Sequence, residues 1–324
     1  MKRILSGMRP TGRLHLGHYH GVLKNWVRLQ SEYETYYFVA DWHALTTEYE
    51  TPGGIKADTQ EMVVDWLAVG LDPAKSVLFV QSDIKAHAEL FVLFSMFTTI
   101  PRLERVPSYK DMQQNLAEKD LRTLGFLGYP VLQSADIAMY RANVVPVGED
   151  QLPHLELTRE IVRRFNNLYG PTFPEPDALL TETPRLPGVD GRKMSKSYGN
   201  AIMLSDSPEE IRKKVMAYVT DPARMKRTDA GNPDVCVLYN LHKIYSPEET
   251  KAEVQVECRR AGIGCVDCKK KVLGHMLAHH EPMIEKRAQV AASVDVRAVL
   301  AEGARKAGEV AEKTMLDVRK GVGL

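Results

Sequence analysis

The sequence has only four cysteines in 324 residues. A chain of this length buries roughly 75% of its unfolded surface and needs no disulfide staples. It has no excess of charge: 43 Lys and Arg stand against 42 Asp and Glu, a net +1. A uniformly basic nucleic-acid coat is thereby excluded, although local patches are not. No apolar run reaches the roughly 18 residues of a membrane helix. The opening residues Met1–Gly7 are too short before their first polar turn to act as a signal peptide. The expectation is a soluble, cytoplasmic protein with no membrane partner. Two common nucleotide loops are missing: no Gly-x4-Gly-Lys-[Ser/Thr] occurs, and no Gly-x-Gly-x2-Gly follows a strand pattern. Internal repeats and low-complexity linkers are also lacking. Apolar residues at 44% and charged residues at 26% argue against disorder.

What is present reads as alternating strands and helices. Short apolar runs at 3–5, 35–40, 76–80 and 143–147 each end in polar residues. Continuous apolar strands of this kind suit a parallel sheet buried on both faces. Helical spacing connects them: Val22, Trp26 and Leu29; Met62, Trp66 and Val69; Leu155, Ile161, Val162 and Phe165. The pattern predicts a doubly wound α/β domain, with ligands bound beyond the carboxyl ends of the strands. After about residue 205 strand patterns stop. Ser207-Pro208-Glu209-Glu210 and Ser246-Pro247-Glu248-Glu249 read as helix starts, and Val294 to Val318 as one long helix ending at Gly321. The expected domains are 1–205 (α/β), 206–295 (all-helical) and a C-terminal helix at 296–324.

Two segments carry chemistry. The first is Ser6-Gly7-Met8-Arg9-Pro10-Thr11-Gly12-Arg13-Leu14-His15-Leu16-Gly17-His18, between the first strand and the first helix. It places His15, Gly17 and His18 at a helix N-terminus, where backbone N–H groups favour anions. Gly17 would let a flat ring or phosphate approach the backbone, and the imidazoles can donate to phosphate oxygens. Alone, such histidines are more often helix caps. The second segment is Gly191-Arg192-Lys193-Met194-Ser195-Lys196-Ser197, a basic loop whose two ammonium groups suit a polyphosphate leaving group. Alone, it reads as a solvated loop.

In this order the two resemble the HIGH and KMSKS signatures of class I aminoacyl-tRNA synthetases, with Leu16 in place of Ile and the second motif complete. Further stretches resemble the bacterial tryptophanyl members of that family: 6–12, 40–46, Tyr129–Ile137, Val145–Gln151 and His154–Arg159. The resemblance implies a Rossmann-like catalytic domain with ATP and Mg²⁺, and two steps. Tryptophan is first activated to tryptophanyl-adenylate with release of pyrophosphate; the acyl group then passes to the 3′ end of tRNA(Trp). It assigns catalysis to His15, His18, Lys193 and Lys196. ATP contacts fall to Arg9, Thr11, Gly17, His18, Lys110, Gly148, Asp150, Lys193, Met194, Ser195 and Lys196. Tryptophan contacts fall to Gly7, His43, Gln133, Asp136 and Gln151, with Asp136 accepting the indole N–H; Gln133 stands where well-known members have Met. A homodimer is also implied. The tyrosyl enzymes share this architecture and remain the alternative, as does a nucleotidylyltransferase of the same superfamily, which should lack the full second motif and the helical domain.

The cysteines, Cys236, Cys258, Cys265 and Cys268, all fall in the helical region with the spacing Cys-x21-Cys-x6-Cys-x2-Cys. Four thiolates with a Cys-x2-Cys pair suit either tetrahedral zinc or an iron–sulfur cube, and the spacing does not choose between them. Resemblance to a subset of the bacterial tryptophanyl enzymes favours a [4Fe–4S] cluster. Basic residues also gather here. Residues 211–229 hold six Lys and Arg against two acids, and residues 251–290 hold eight against five. In a helical domain beside such a catalytic core they are candidate tRNA phosphate contacts.

Overall fold

The computed structural model describes residues 1–107, 121–180, 186–196 and 198–324. Five parallel strands form one sheet: β1 (Arg3–Met8), β2 (Glu34–Val39), β3 (Ser76–Val80), β4 (Val144–Val147) and β5 (Asp177–Leu180), in the order β3-β2-β1-β4-β5. Alternation along the strands feeds two cores. Ile4, Tyr37, Val39 and Leu78 face a layer containing Trp26, Trp66 and Met276. Leu5, Tyr36, Phe38 and Phe79 face the other, with Phe94, Val131 and Phe165. A sheet covered on both sides explains why β2 reads as an unbroken run of β formers.

The fifth strand was not legible in the sequence. Asp177-Ala178-Leu179-Leu180 is short and half-exposed, so no long apolar run marks it. The strand order reverses between β1 and β4, the switch point where a crevice opens in such sheets.

Local chemistry sets several helix starts. The hydroxyl of Ser207 accepts from the Glu210 N–H while the Glu210 carboxylate accepts from the Ser207 N–H, a reciprocal cap for Pro208–Ala217. The Glu248–Arg259 helix has no such cap; the Ser246 hydroxyl instead bonds His242 Nδ1 at 2.8 Å. The last helix, Val296–Val322, is capped by Asp295 and ends at Gly323 in the left-handed region. It covers the open edge at β3. A Cβ on Gly303 would lie 1.7 Å from the Leu78 carbonyl oxygen, so only glycine permits this approach.

The helical region is tied to the sheet layer at two places. Arg287, on the Cys265–Ser293 helix, donates to the buried Asp65 of the Ile55–Ala68 helix at 2.6 Å. An aromatic joint forms the second tie. His20 Nε2 lies 2.7 Å from the Tyr245 hydroxyl, which lies 2.8 Å from His280 Nε2, and the Tyr19 hydroxyl lies 3.1 Å from His279 Nε2. Tyr19 and His20 sit on a π-helical turn, Tyr19–Leu23, where helical spacing had suggested plain α-helix. Burial, with the neighbouring His280, His279 and Lys24, lowers His20 to about 3; burial and His279 lower His280 to about 4. Both are therefore neutral in the fold and charge near pH 6.5 when unfolded. The unfolded chain binds more protons between about pH 6.5 and 4, so stability falls as pH falls through that window. Each histidine is expected to cost about 2 kcal/mol at pH 5. Asp65, raised to about 6 by burial against the pull of Arg287, offsets part of this loss. Thermal unfolding should show a clearly lower Tm at pH 5 than at pH 7. A Tm that stays flat across that range contradicts neutral histidines at this joint.

Candidate active site

At the switch point lies a cleft of about 1810 Å³. Its lining includes Gly7, Arg9, His15, Gly17, His18, His43, Gln133, Asp136, Gly148, Asp150, Gln151, Lys193 and Met194. Residues from five separate sequence segments therefore meet in one cavity. Thr11, Ser195 and Lys196 are not among the lining residues, and Lys110 lies outside the described residues.

The histidine segment folds as the sequence suggests, with a twist. Helix Leu16–His18 begins with His15 as its cap. His15 Nδ1 accepts the Gly17 N–H and His18 Nδ1 accepts the His15 N–H, each at 3.1 Å. With both Nδ1 atoms accepting, each neutral ring carries its proton on Nε2. Burial, then Lys196 and Lys193, lowers His15 to about 4; burial, His15 and Lys196 lower His18 to about 3. Two neutral N–H donors result. Gly17 has a different role from the one read in the sequence: a Cβ there would meet the His15 ring at 2.8 Å, so the glycine makes room for an imidazole. Gly7 likewise has the Phe38 ring where a Cβ would stand.

The basic loop is pinned to this segment. Leu16 N–H donates to the Ile202 carbonyl at 3.0 Å and Leu204 N–H to the Leu14 carbonyl at 2.9 Å. Lys196 Nζ donates to the Thr11 carbonyl. Gly12, at φ 95°, turns the chain and leaves space for the Lys196 stem. Asn200, buried and not singled out by motif, organises the loop. Its amide donates to Asp190 at 2.7 Å and to the Lys193 carbonyl at 3.2 Å, and its oxygen accepts the Ser195 N–H at 2.8 Å.

Asp136 is the most heavily bonded carboxylate of the cleft. It stands inside the Leu124–Met139 helix at 1% exposure. Oδ2 lies 2.8 Å from His43 Nε2, Oδ1 lies 2.5 Å from His87 Nδ1, and Gln81 Nε2 reaches both oxygens at 2.8 and 2.9 Å. Burial pushes its pKa up, but the hydrogen bonds and charges of His43 and His87 prevail and hold it at about 2. Gln81 and His87 follow β3, far from any recognisable motif, and only the fold brings them here. Asp150 at the end of β4 accepts from Gln151 Nε2 at 3.0 Å. Arg9 is held by the Thr47 hydroxyl, and burial lowers its pKa against the opposing pull of Glu48.

Comparison with known proteins follows the same geometry. Residues 1–280 match the family described as class I tRNA synthetases (W and Y). The chain is 53% identical to the tryptophan–tRNA ligase of Thermotoga maritima, with 99% of each chain covered. It is 46% identical to that of Ralstonia nicotianae, covering 100% of this chain and 98% of the relative. The crystal structure of the Campylobacter jejuni tryptophanyl-tRNA synthetase, complexed with ADP and tryptophan, superposes with a TM-score of 0.89 at 32% identity, over 99% of this chain and 100% of that one. The chain belongs to the class I tryptophanyl-tRNA synthetases.

The synthetase's helical region gathers its four free cysteines, all half-buried. Cys265 and Cys268 open the Cys265–Ser293 helix, Cys258 ends the Glu248–Arg259 helix, and Cys236 precedes Tyr239–Tyr245. The thiols feel one another. Burial, then the other three cysteines, pushes Cys268 up to about 12, and burial likewise raises Cys236 and Cys258. Among the described residues no group of three or more His, Cys, Asp or Glu closes on a single-ion site. The basic stretches are partly committed to the synthetase's own structure. Lys214 pairs with Asp206 at 2.6 Å, Arg224 donates to the Ile263 carbonyl at 2.7 Å, and Arg227 to the Gly262 carbonyl at 2.8 Å. Among the described residues no helix is long and apolar enough to cross a membrane.

Proposed function

We propose that the cleft carries out both steps of tryptophan–tRNA ligation, with roles distributed as follows. The tryptophan carboxylate attacks the α-phosphorus of ATP in line; the new P–O bond forms as the bond to the β-phosphate oxygen breaks and pyrophosphate departs. Mg²⁺ accompanies the nucleotide and neutralises phosphate charge. His15 and His18 donate their Nε2–H groups to phosphate oxygens, and being neutral they do so without repelling Lys193 and Lys196. The two lysines and Arg9 meet the departing charge, and Asp150 takes a ribose hydroxyl. Gly7, His43, Gln133 and Gln151 shape the tryptophan pocket, and Asp136 accepts the indole N–H. A 3′ ribose hydroxyl of tRNA(Trp) then attacks the adenylate carbonyl carbon and AMP leaves.

The observation that carries this reading is the pair of histidines with both Nδ1 atoms tied to backbone N–H groups and both Nε2 atoms left as donors beside a lysine loop. Such preorganised donors suit a reaction in which positioning and charge neutralisation supply most of the rate. Charging of tRNA(Trp) with labelled tryptophan tests the two steps together. A chain that forms adenylate and leaves the tRNA uncharged would contradict the second.

The cysteines extend the proposal. Cys265 and Cys268 open one helix, and electrostatic interactions link them to Cys236 and Cys258, with Arg224 Nη1 3.8 Å from Cys258 Sγ and Lys269 close enough to feel Cys236, Cys265 and Cys268. Crowded, half-buried thiols resist ionisation unless a cation offsets the charge. A [4Fe–4S] centre fits this donor set and its basic surroundings, with zinc the alternative. It would cross-link three helix ends of the helical region. Anaerobic purification with iron, sulfide and zinc analysis is expected to give iron and sulfide near four per chain (the stoichiometry of the cube). About one zinc and no sulfide overturns the cluster. Cys265→Ser should lose the metal and lower tRNA charging more than pyrophosphate exchange; an equal loss in both assigns the centre to the fold as a whole.

The reading includes a homodimer. Val92, Ile100 and Leu124 are large, apolar and exposed, on the helices Ala86–Ser95, Ile100–Leu103 and Leu124–Met139, the first two of which pack on the third, and Met96 is exposed just beyond the first. Paired surfaces of this kind commonly bury such side chains. Sedimentation should give twice the chain mass, and a mass near 36.4 kDa contradicts it.

A further inference from the structure

Behind Asp136, away from the cleft, lies a chain of buried groups that no motif carries. We propose that His87 is a specificity-determining positioning residue, which, backed by Tyr140, locks the Asp136 carboxylate so that Oδ2 is the oxygen offered to the substrate's indole N–H. This rests on the reading of Asp136 as the indole acceptor.

The directions of the hydrogen bonds follow from one constraint. An ionised carboxylate only accepts, so His87 Nδ1 carries the proton at 2.5 Å from Oδ1. In the neutral ring, His87 Nε2, 2.7 Å from the Tyr140 hydroxyl, is then left to accept from it. Tyr140 is fixed in turn: its ring stacks on Tyr36 with centroids 4.9 Å apart and lies 5.4 Å from Phe79. His87, Gln81 and Tyr140 are all 0% exposed.

The carboxylate needs such a lock. The terminal torsion of an aspartate is broad and soft, and a recognition site holds its geometry only when supporting side chains fix it. Oδ1 accepts from His87 and Gln81, both unreachable from the cleft. Oδ2 accepts from His43, which lines the cleft, and from the second reach of Gln81. An indole N–H can therefore gain a lone pair only at Oδ2, where His43 can yield, and not at Oδ1.

The test compares L-tryptophan with its benzothiophene analogue, in which sulfur replaces the N–H, by pyrophosphate exchange in the full-length enzyme. The wild type should prefer tryptophan. His87→Phe should cut that preference about tenfold or more, through a raised KM for tryptophan, with the analogue little changed. His87→Asn keeps a donor near the Nδ1 position and should restore most of the preference. Tyr140→Phe preserves shape, removes one hydroxyl and should lower the preference about threefold; it carries the decision if His87→Phe does not fold. Equal losses for both substrates in these variants, or a preference left at the wild-type value, overturn the inference. Asp136→Asn separates the two claims. If it abolishes the preference while His87→Phe does not, only the role of His87 fails. If Asp136→Asn itself leaves the preference intact, the reading of Asp136 fails and this inference with it.

Discussion

Lys196→Ala is expected to lower ATP–pyrophosphate exchange by about 10²–10³-fold, while the Kd for tryptophan stays within about twofold. Lys196 is not a wall of the cleft. Its ammonium rests on the Thr11 carbonyl of the glycine-rich turn, a hydrogen bond that joins the two motifs. Burial lowers its pKa, Asp58 pulls it back up and Arg9 lowers it further, so its ammonium form is disfavoured in the empty site and gains most from an incoming polyanion. Charge builds on the pyrophosphate oxygens only as the bond to the α-phosphorus breaks. An interaction strengthened at that moment changes kcat and leaves amino-acid binding alone. Rapid-quench adenylate formation with fluorescence-titrated tryptophan separates the two quantities. Equal loss in both would make Lys196 a structural tie between the loops.

Asp136→Asn is expected to reduce kcat/KM for tryptophan by about 10³-fold. The change is isosteric, but it replaces four acceptor positions with one oxygen and a donor. The new amide N–H groups must face His43, His87 or Gln81, each already presenting a donor. A buried donor set left without its acceptor costs the full desolvation of those groups, and the indole N–H loses its partner as well. Stability should fall along with activity, so exchange kinetics are to be read below the variant's own Tm. An Asp136→Asn enzyme with wild-type kcat/KM would remove Asp136 from the recognition of tryptophan.

The sequence made the sheet legible where its strands are continuous apolar runs, at 35–40 and 76–80. It hid β5, whose four half-exposed residues carry no such signal. His15, His18 and Lys193 were readable because each lies in a compact motif whose local fold sets its geometry. Their tautomers were not, since those depend on which backbone N–H each Nδ1 meets. Asn200 was missed although it lies four residues beyond Lys196, because a buried asparagine that holds a loop resembles any other turn residue. Gln81, His87 and Tyr140 were invisible for a further reason. They surround Asp136 only through the β3 crossover and the packing of the Ala86–Ser95 helix on Leu124–Met139, contacts 49 to 55 residues apart for His87 and Gln81. In the basic stretch 211–229, charge counting could not show that Arg224 and Arg227 also bind backbone carbonyls.

ATP–pyrophosphate exchange by the purified full-length chain, with L-tryptophan and L-tyrosine compared at equal concentrations, tests the central claim most directly. The account predicts exchange that depends on tryptophan, with tyrosine at or near background, because the buried carboxylate at the end of the cleft is read by an indole N–H. Exchange driven by tyrosine, or none with either amino acid in an enzyme shown to be folded, would contradict it.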